Sequence, residues 1–352
     1  MKIAAGLSGG VDSSVAALLL KEAGHEVTGI TMKLWNGRYK GGEKDACFGA
    51  GEEKDIEDAA AFARAIGIDY KVFDCSEYYD KEIVTYFRES YLAGRTPNPC
   101  VRCNAALKFG LLPEMAARSG LVFDKFATGH YARIEMKNGR FALMRAVDKS
   151  KDQSYFLYRL SQEQISRTIF PCGDKTKIQI REIAAAHGLS AAVKPDSQDF
   201  YSGDTDELIG REARPGDIVD VHGKKLGRHT GFWHYTIGQR KGLGIGGGTP
   251  YYVIDVDACS NRVVVGSAAD AVRTSFRVED VNWVSSAPVD GEIKVRVKVR
   301  SAGEPRGPAF FKNGVCTVPQ GIAGVAPGQS AVFYAEDSDE VVCGGVIVKE
   351  VN

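Results

Sequence analysis

Residues 3–18 read IAAGLSGGVDSSVAAL, and the fold of the whole chain turns on how this stretch is read. A short apolar run leads into Ser8-Gly9-Gly10-Val11-Asp12-Ser13-Ser14, and a run of helical period follows. That order predicts a buried strand, a glycine-rich turn and the first turn of a helix. Backbone N–H groups of such a turn and of the helix start converge on one spot, an anion site. Gly9 and Gly10 leave room for phosphate, and Ser8, Ser13 and Ser14 add hydroxyl donors. Asp12 is then placed to hold a Mg²⁺ that the phosphates also touch. The lysine of GxxxxGK[ST] is missing and GxGxxG is not present, which excludes the Walker and dinucleotide motifs. An ordinary turn capped by Ser13 is the plain alternative. It leaves unexplained why glycines, hydroxyls and an acid meet at one strand-to-helix junction.

SGGVDSS so near the start of the sequence resembles the PP-loop of the ATP pyrophosphatases. The resemblance implies that Gly6, Leu7, Ser8, Gly9, Gly10, Val11, Asp12 and Ser13 grip the terminal phosphates of ATP, with Mg²⁺ held through Asp12. A nucleophile then attacks the α-phosphate and leaves an adenylated substrate.

A chain of 352 residues predicts two or three domains. Lys+Arg and Asp+Glu balance at 45 each, so any RNA contact must come from local patches rather than a global basic field. Hydrophobic residues at 44% suit ordinary cores. No apolar run reaches the ~18 residues of a membrane span. The first 20 positions carry an acid and the phosphate-loop pattern where a signal peptide needs an apolar stretch. The expectation is a cytoplasmic protein without a membrane partner, its scattered cysteines kept reduced.

Along the chain, Ser13–Ala23 predicts a helix closed by Gly24, and His25–Met32 a second strand, so the sheet is parallel. Met32 falls at that strand's C-terminal end, where open α/β sheets bind ligands. Residues 35–51 lack periodicity and predict a mobile surface loop carrying Cys47. Glu53–Ile66 predicts a helix, Tyr70–Phe73 a strand and Tyr79–Ala93 a helix. GRTPNPCVRCN, residues 94–104, predicts a defined loop ahead of a helix at Ala105–Ser119. Cys100 and Cys103 stand at CxxC spacing beside Arg95, Arg102 and Lys108. Positive neighbours and a helix start favour thiolate, which makes a nucleophile or a metal ligand. Half of a structural zinc site is the alternative, but no second CxxC or HxxxH completes four ligands.

In FATGHYAR, residues 126–133, a short strand ends at Gly129, so Gly129 can pass close to a nucleotide and His130 lies at the ligand rim. A lone histidine otherwise packs or caps. Lys151, Asp152 and Gln153 offer a cation, an acceptor and an amide to an RNA backbone and base edge, or form a solvated turn. Residues 161–189 are helical in pattern, broken at 171–174, with Cys172 structural. From Asp204 onward short β-type runs replace helical periods, and Arg228, His229, His234 and Lys241 form a candidate local RNA patch beside solvated turns. His222, His229 and His234 lack the carboxylate or thiol spacing of a metal site. Residues 294–300 alternate basic residues with valines, predicting a strand of a small antiparallel barrel with a positive edge ending at Arg300. Cys259, Cys316 and Cys343 read as buried or incidental. The expected domains are 1–203, 204–274 and 275–352.

GRTPNPCVRCN, FATGHYAR, KDQSYFL (151–157), GQRKGLGIGG (238–247) and PGQSAVFY (327–334), in that order, resemble the bacterial tRNA-specific 2-thiouridylases over essentially the full chain. The resemblance implies an α/β domain with a parallel sheet, Rossmann-like and of the adenine nucleotide alpha hydrolase type. A small β-rich central domain and a C-terminal antiparallel β-barrel follow it. It implies ATP-dependent adenylation of O2 of uridine 34 in the tRNA anticodon, then sulfur transfer to give 2-thiouridine, AMP and pyrophosphate. Met32 and Gly129 become adenine and nucleotide neighbours. Thr96, Pro97 and Asn98 line the target-base pocket, and His130, Lys151, Asp152, Gln153, Arg300 and Gln329 meet tRNA. Cys103 carries sulfur delivered by a persulfide donor or relay protein.

One departure matters. Many relatives carry a second essential cysteine after an Asp-Ser pair; counting from Asp196 and Ser197, that position is Tyr201 here. A phenol carries no persulfide, so another thiol must serve. Cys100 is one candidate, because a CxxC pair closes a disulfide directly; relatives with the second cysteine have Asp at that place. The other is an iron–sulfur cluster held by Cys100, Cys103 and a third ligand such as Cys47. Two further classes stay open from sequence: a PP-loop synthetase that adenylates a small metabolite, and a non-catalytic RNA-binding protein with a structural CxxC.

Overall fold

A computed structural model describes residues 1–41, 46–189, 199–201, 203–246 and 250–349. Asp196, Ser197, Gly247 and Gly248 lie outside them. The N-terminal apolar run forms β1 (Lys2–Gly6), buried at Ile3, Ala4 and Ala5. After the glycine turn comes α1 (Val11–Glu22), which starts earlier than expected because Gly10 already serves as its extended N-cap. Asp12 therefore sits in the helix's first turn. β2 (Glu26–Lys33) pairs in parallel with β1.

In the stretch expected as a mobile loop, the described residues 35–41 and 46–51 are instead anchored. They include β3 (Ala46–Phe48), and Tyr39 and Phe48 are buried. Phe48 lies 5.1 Å from the Trp35 ring and 4.7 Å from Tyr79. Glu52 adds a clamp, accepting from Leu34 N–H and Trp35 N–H, each over 2.7 Å. Burial holds that carboxyl above its usual range. Aromatic side chains without any period tie this segment down, so periodicity alone misread it.

α2 (Glu52–Ile66), β4 (Asp69–Asp74), α3 (Ser76–Tyr79) and α4 (Thr85–Leu92) follow, the last two joined through a π-turn. Next are α5 (Pro99–Cys103) and α6 (Leu112–Arg118), again bridged by π-helical residues, then β5 (Lys125–Ala127). A hairpin of β6 (Ala132–Lys137) and β7 (Arg140–Arg145) was not anticipated, although Asn138-Gly139 is the usual signal for such a turn. α7 (Gln162–Ser166), β8 (Thr168–Ile169), α8 (Lys177–Ala186) and β9 (Asp199–Tyr201) complete this part. The parallel sheet has the order β4-β2-β1-β5-β8, with β1 at its centre. β9 pairs with β3, placing Tyr201 opposite Phe48.

A short helix, α9 (Thr205–Ile209), comes where only β-type runs were expected. It is too short to show a period, and it buries Leu208 and Ile209 in the main core while Arg88 donates to Leu208 O over 2.8 Å. β10 (Gly216–Asp220), β11 (Lys225–His229), β12 (Tyr252–Asp257) and β13 (Arg262–Gly266) form a sheet of order β11-β10-β13-β12.

β14 (Val272–Asn282), β15 (Ile293–Lys298), β16 (Arg306–Lys312), β17 (Val315–Ala323), β18 (Ser330–Ala335) and β19 (Val341–Val348) close into an antiparallel barrel. Val295, Val297 and Val299 face its core with Phe276, Phe311 and Phe333. The other face of β15 is not the open positive edge expected. Lys294 pairs with Glu336 at 2.6 Å, Arg296 donates to Ala335 O over 3.1 Å, and Lys298 is buried beside the Tyr155 ring. Lys294, held by Glu336, and Arg300 are the exposed members of that series. The barrel docks on the α/β domain through Tyr155, whose hydroxyl donates to Ser330 O over 3.0 Å.

Candidate active site

The phosphate loop is self-braced. Ser8 N–H donates to Ser13 Oγ over 3.1 Å, and the Ser13 and Ser14 hydroxyls both donate to Gly10 O. Gly9 has φ +72°, and a Cβ there would stand 2.6 Å from Asp55 O, so no other residue fits. Leu7 is not a phosphate donor: its N–H goes to Ile30 O over 2.9 Å and its side chain is buried. The Val11 side chain is buried in the core between α1 and α8. Gly129 presses on the loop itself, since a Cβ would come within 2.6 Å of Asp12 C and Ser13 N. Met32 lies half-buried at the C-terminal end of β2, next to Thr31, whose hydroxyl donates to Leu7 O over 2.7 Å.

Asp12 is the best-connected carboxylate of the loop. Lys177 Nζ donates to both its oxygens over 2.7 and 2.8 Å, and Tyr131 OH donates to Oδ1 over 2.8 Å. Its side chain stays 29% exposed, enough to meet a ligand. A glycine cradle with hydroxyls and one hard carboxylate oxygen donor fits Mg²⁺ carried in by phosphates. Neither Lys177 nor Tyr131 was singled out from sequence, because each lies far from Asp12 along the chain. Lys177 had one visible mark: it opens a helix behind the capping box Thr176–Gln179.

The thiols enter on a helix rather than ahead of one. Asn98 Oδ1 accepts from Val101 N–H over 3.4 Å and Pro99 takes the first helical position, so α5 starts before the cysteines. Cys100 and Cys103, three apart, share one helical face. Their acidity runs opposite to the expectation. Burial pushes both thiols up to about 12, and the nearby Lys108 offsets only part of this. Arg102 does not help, because it pairs with Glu82 at 2.9 Å and lies over the Tyr86 ring. Cys47, exposed on β3, is close enough that its charge opposes ionisation of both. Among the described residues, no group of three or more His, Cys, Asp or Glu is arranged to hold a metal ion. The donor set as placed does not fit a three-ligand cluster.

The loop before α5 is clamped from the barrel. Thr96 N–H donates to Pro327 O over 2.8 Å, and Gln329 Nε2 donates to Thr96 O and Pro97 O over 3.3 and 2.8 Å. Pro97 and Asn98 are buried. His130 Nδ1 is 2.8 Å from Thr128 Oγ1, and its ring packs between Phe109 and Phe170. Burial holds it neutral, well below the usual histidine range.

Several expected RNA contacts are structural instead. Asp152, 1% exposed, pairs with Arg145 at 3.2 Å and accepts from Ala146 N–H and Ser154 Oγ. Gln153 Oε1 accepts from Tyr131 N–H over 2.9 Å, steadying the Asp12 partner; Lys151 N–H donates to Asp148 O. His229 is buried with Nε2 3.3 Å from Asn261 O, and His234 Nε2 sits 2.6 Å from Asp206. Buried His229 offers no surface to RNA, while His234 is exposed and engaged by Asp206. Tyr201, at the missing cysteine's place, donates to Glu207 and accepts from Gly41 N–H. Burial and Glu207 keep its phenol protonated. Cys172 is buried and donates to Asp12 O over 3.5 Å.

Three family models match the chain in succession. They are described as tRNA methyl transferase HUP domain (residues 1–201), tRNA methyl transferase PRC-barrel domain (207–267) and Aminomethyltransferase beta-barrel domain (273–347). The chain is 47% identical over 359 residues to the tRNA-specific 2-thiouridylase MnmA of Endomicrobium trichonymphae, covering 99% of each. It is 42% identical over 375 residues to the protein of that name from Acidobacterium capsulatum, covering 98% of each. A solved 4-thiouridine synthetase–RNA complex with bound ATP matches at 17% identity and TM-score 0.36, over 58% of this chain and 44% of that one. A likeness of that size carries no argument.

Proposed function

The chain belongs to the tRNA-specific 2-thiouridylase family, and from that premise we infer how its own residues divide the work. The protein is a tRNA-uridine 2-sulfurtransferase that consumes ATP with Mg²⁺. When bound, Mg²⁺ at Asp12 supplies charge neutralisation to the phosphates.

Gly9, Gly10, Ser8 and Ser13 hold the pyrophosphate end of ATP at the start of α1. Donors aimed at the leaving group strengthen as its charge grows, which lowers the barrier. The target base is uridine 34 of the anticodon, turned out of its stack into the pocket walled by Thr96, Pro97 and Asn98. Its O2 attacks the α-phosphate and pyrophosphate departs. The oxygen then leaves from C2 as AMP when the outer sulfur of a Cys103 persulfide attacks. Cys100 Sγ attacks Cys103 Sγ as its proton passes to the departing sulfur, the S–S bond to the base breaks, and 2-thiouridine leaves with a Cys100–Cys103 disulfide behind. A thiol reductant resets the pair, and a persulfide donor or relay protein reloads Cys103. His130, Lys151 and Arg300 are the remaining candidates for tRNA contact. Among the described residues no helix is long and apolar enough to cross a membrane. Thiols that must return to the reduced state suit a cytoplasmic site of action.

The observation carrying this division is that Cys100 and Cys103 share one face of a helix entered directly from the Thr96–Asn98 loop. The cluster alternative needs a third ligand, and among the described residues no such group is assembled. In Cys103→Ser, 2-thiouridine formation should vanish while tRNA-dependent pyrophosphate release persists. Retained thiolation overturns the assignment. ATP–pyrophosphate exchange without tRNA would instead support a synthetase acting on a small metabolite.

A further inference from the structure

α1 and α8 lie side by side and run the same way. Asp12 meets Lys177 at their N-terminal ends, Glu22 meets His187 at 3.3 Å at their C-terminal ends, and Val11, Val15, Ile180 and Ala184 pack between. The positive ends of two helix dipoles therefore open on the same side, at the phosphate loop. Lys177 is the first residue of α8 and only 7% exposed. The first turn of a helix favours acids, so a buried lysine there has the wrong sign for its position. A breach of local preference at a well-packed position is where function is expected. The Asp12 carboxylate balances one positive charge. Two helix ends still favour an anion beside it.

We propose that Lys177 is a phosphate-binding residue: its ammonium holds Asp12 while the loop has no nucleotide, and moves onto the pyrophosphate oxygens of ATP when Asp12 turns to the metal. This rests on the reading of the loop as the ATP site. In that role Lys177 serves the leaving group, since the ammonium stays beside the oxygens whose charge rises as the α-phosphate is attacked. The competing view is that the pair merely ties α1 to α8.

Inorganic pyrophosphate is the probe, titrated calorimetrically without and then with Mg²⁺ into wild type, Lys177→Met, Lys177→Arg and Asp12→Asn, each checked by thermal unfolding. Lys177→Met should weaken metal-free binding by about tenfold or more, the loss of a charge-assisted contact, while Lys177→Arg keeps most of it. Asp12→Asn should tighten metal-free binding, because a repelling carboxylate goes and the ammonium is released, yet lose the enhancement by Mg²⁺. The opposite signs carry the test, and the arginine and asparagine variants decide it if Lys177→Met fails to fold. A purely structural pair predicts that Lys177→Met and Asp12→Asn lower the unfolding temperature alike and shift affinity in the same direction or not at all; that overturns the role of Lys177. Folded wild type that binds no pyrophosphate overturns the loop reading, and this proposal with it.

Discussion

Gln329, on the barrel's approach to β18, donates its side-chain amide to Pro97 O over 2.8 Å, so the far domain sets the position of the loop that delivers the thiols. The same nitrogen reaches Thr96 O over 3.3 Å. The family resemblance implied tRNA contact for Gln329, whereas its side chain is engaged with the protein. The barrel thus holds the loop proposed to line the base pocket.

Gln329→Ala should therefore impair thiolation through the loop. Two part-buried carbonyls lose their partner, at a cost of about 1–3 kcal/mol. Steady-state kinetics should show a lower kcat/KM for tRNA with the KM for ATP unchanged. An unchanged tRNA profile would mean that the clamp does not position the pocket.

The thiols make a pH prediction. Burial pushes Cys75 up to about 11 and Cys100, Cys103, Cys172 and Cys316 up to about 12. An unfolded thiol titrates near ~8.5, so the stability these groups lend is complete below that pH. It is lost as pH rises toward about 12, since the unfolded chain releases protons that the fold retains. Thermal unfolding should show a melting temperature that falls from pH 9 upward, less steeply in Cys100→Ala/Cys103→Ala. Iodoacetamide should also alkylate Cys103 more slowly at pH 7 than it does a free cysteine. A flat profile or rapid alkylation would contradict the buried, protonated pair.

Arg145 and Asp152, with side chains 3% and 1% exposed, form a buried ion pair at the seam with the barrel, where Arg145 also reaches Glu304 at 2.8 Å. Removing one partner strands the other, which costs about 3–5 kcal/mol in buried pairs. Asp152→Ala should lower the denaturant midpoint markedly, and any fall in tRNA affinity should follow the folded fraction. A fully stable variant with selectively weaker tRNA binding would restore Asp152 as an RNA contact.

Cys47 stands beside the pair without being needed for a two-thiol mechanism. Cys47→Ser should keep thiolation within about threefold, the modest change expected where a residue makes no transition-state contact. Protein purified without oxygen should carry little iron or labile sulfide. Stoichiometric iron lost together in Cys47→Ser and Cys100→Ala would favour the cluster route.

The legible parts of this protein were local ones. Ser8–Ser14 announced the phosphate turn because its glycines and hydroxyls are adjacent in the chain, and the Lys294–Arg300 alternation announced a barrel strand. What escaped depends on contacts across the fold. Lys177 meets Asp12 only because α8 lies along α1. Thiol acidity was misjudged because Arg102, a neighbour in sequence, turns to Glu82 while the cysteines turn inward. Residues 35–51 looked mobile because Trp35, Tyr39 and Phe48 follow no period, yet Trp35 and Tyr39 pack on Phe48, whose ring meets Tyr79 and Tyr201. Asn98-Pro99 and Asn138-Gly139 were readable signals of a helix start and a hairpin that a broader pattern had overshadowed.

The central claim is that the helical thiol pair does what a second cysteine at position 201 would otherwise do. Wild-type protein loaded with persulfide at Cys103 and given ATP, Mg²⁺ and tRNA for a single turnover, then quenched and mapped by non-reducing peptide mass spectrometry, tests it most directly. The account predicts one 2-thiouridine per active site and a matching yield of Cys100–Cys103 disulfide, with Cys100→Ser holding the sulfurated base as a mixed disulfide. Full thiouridine yield with Cys100 and Cys103 both reduced, or with Cys103 linked to Cys47, would contradict it.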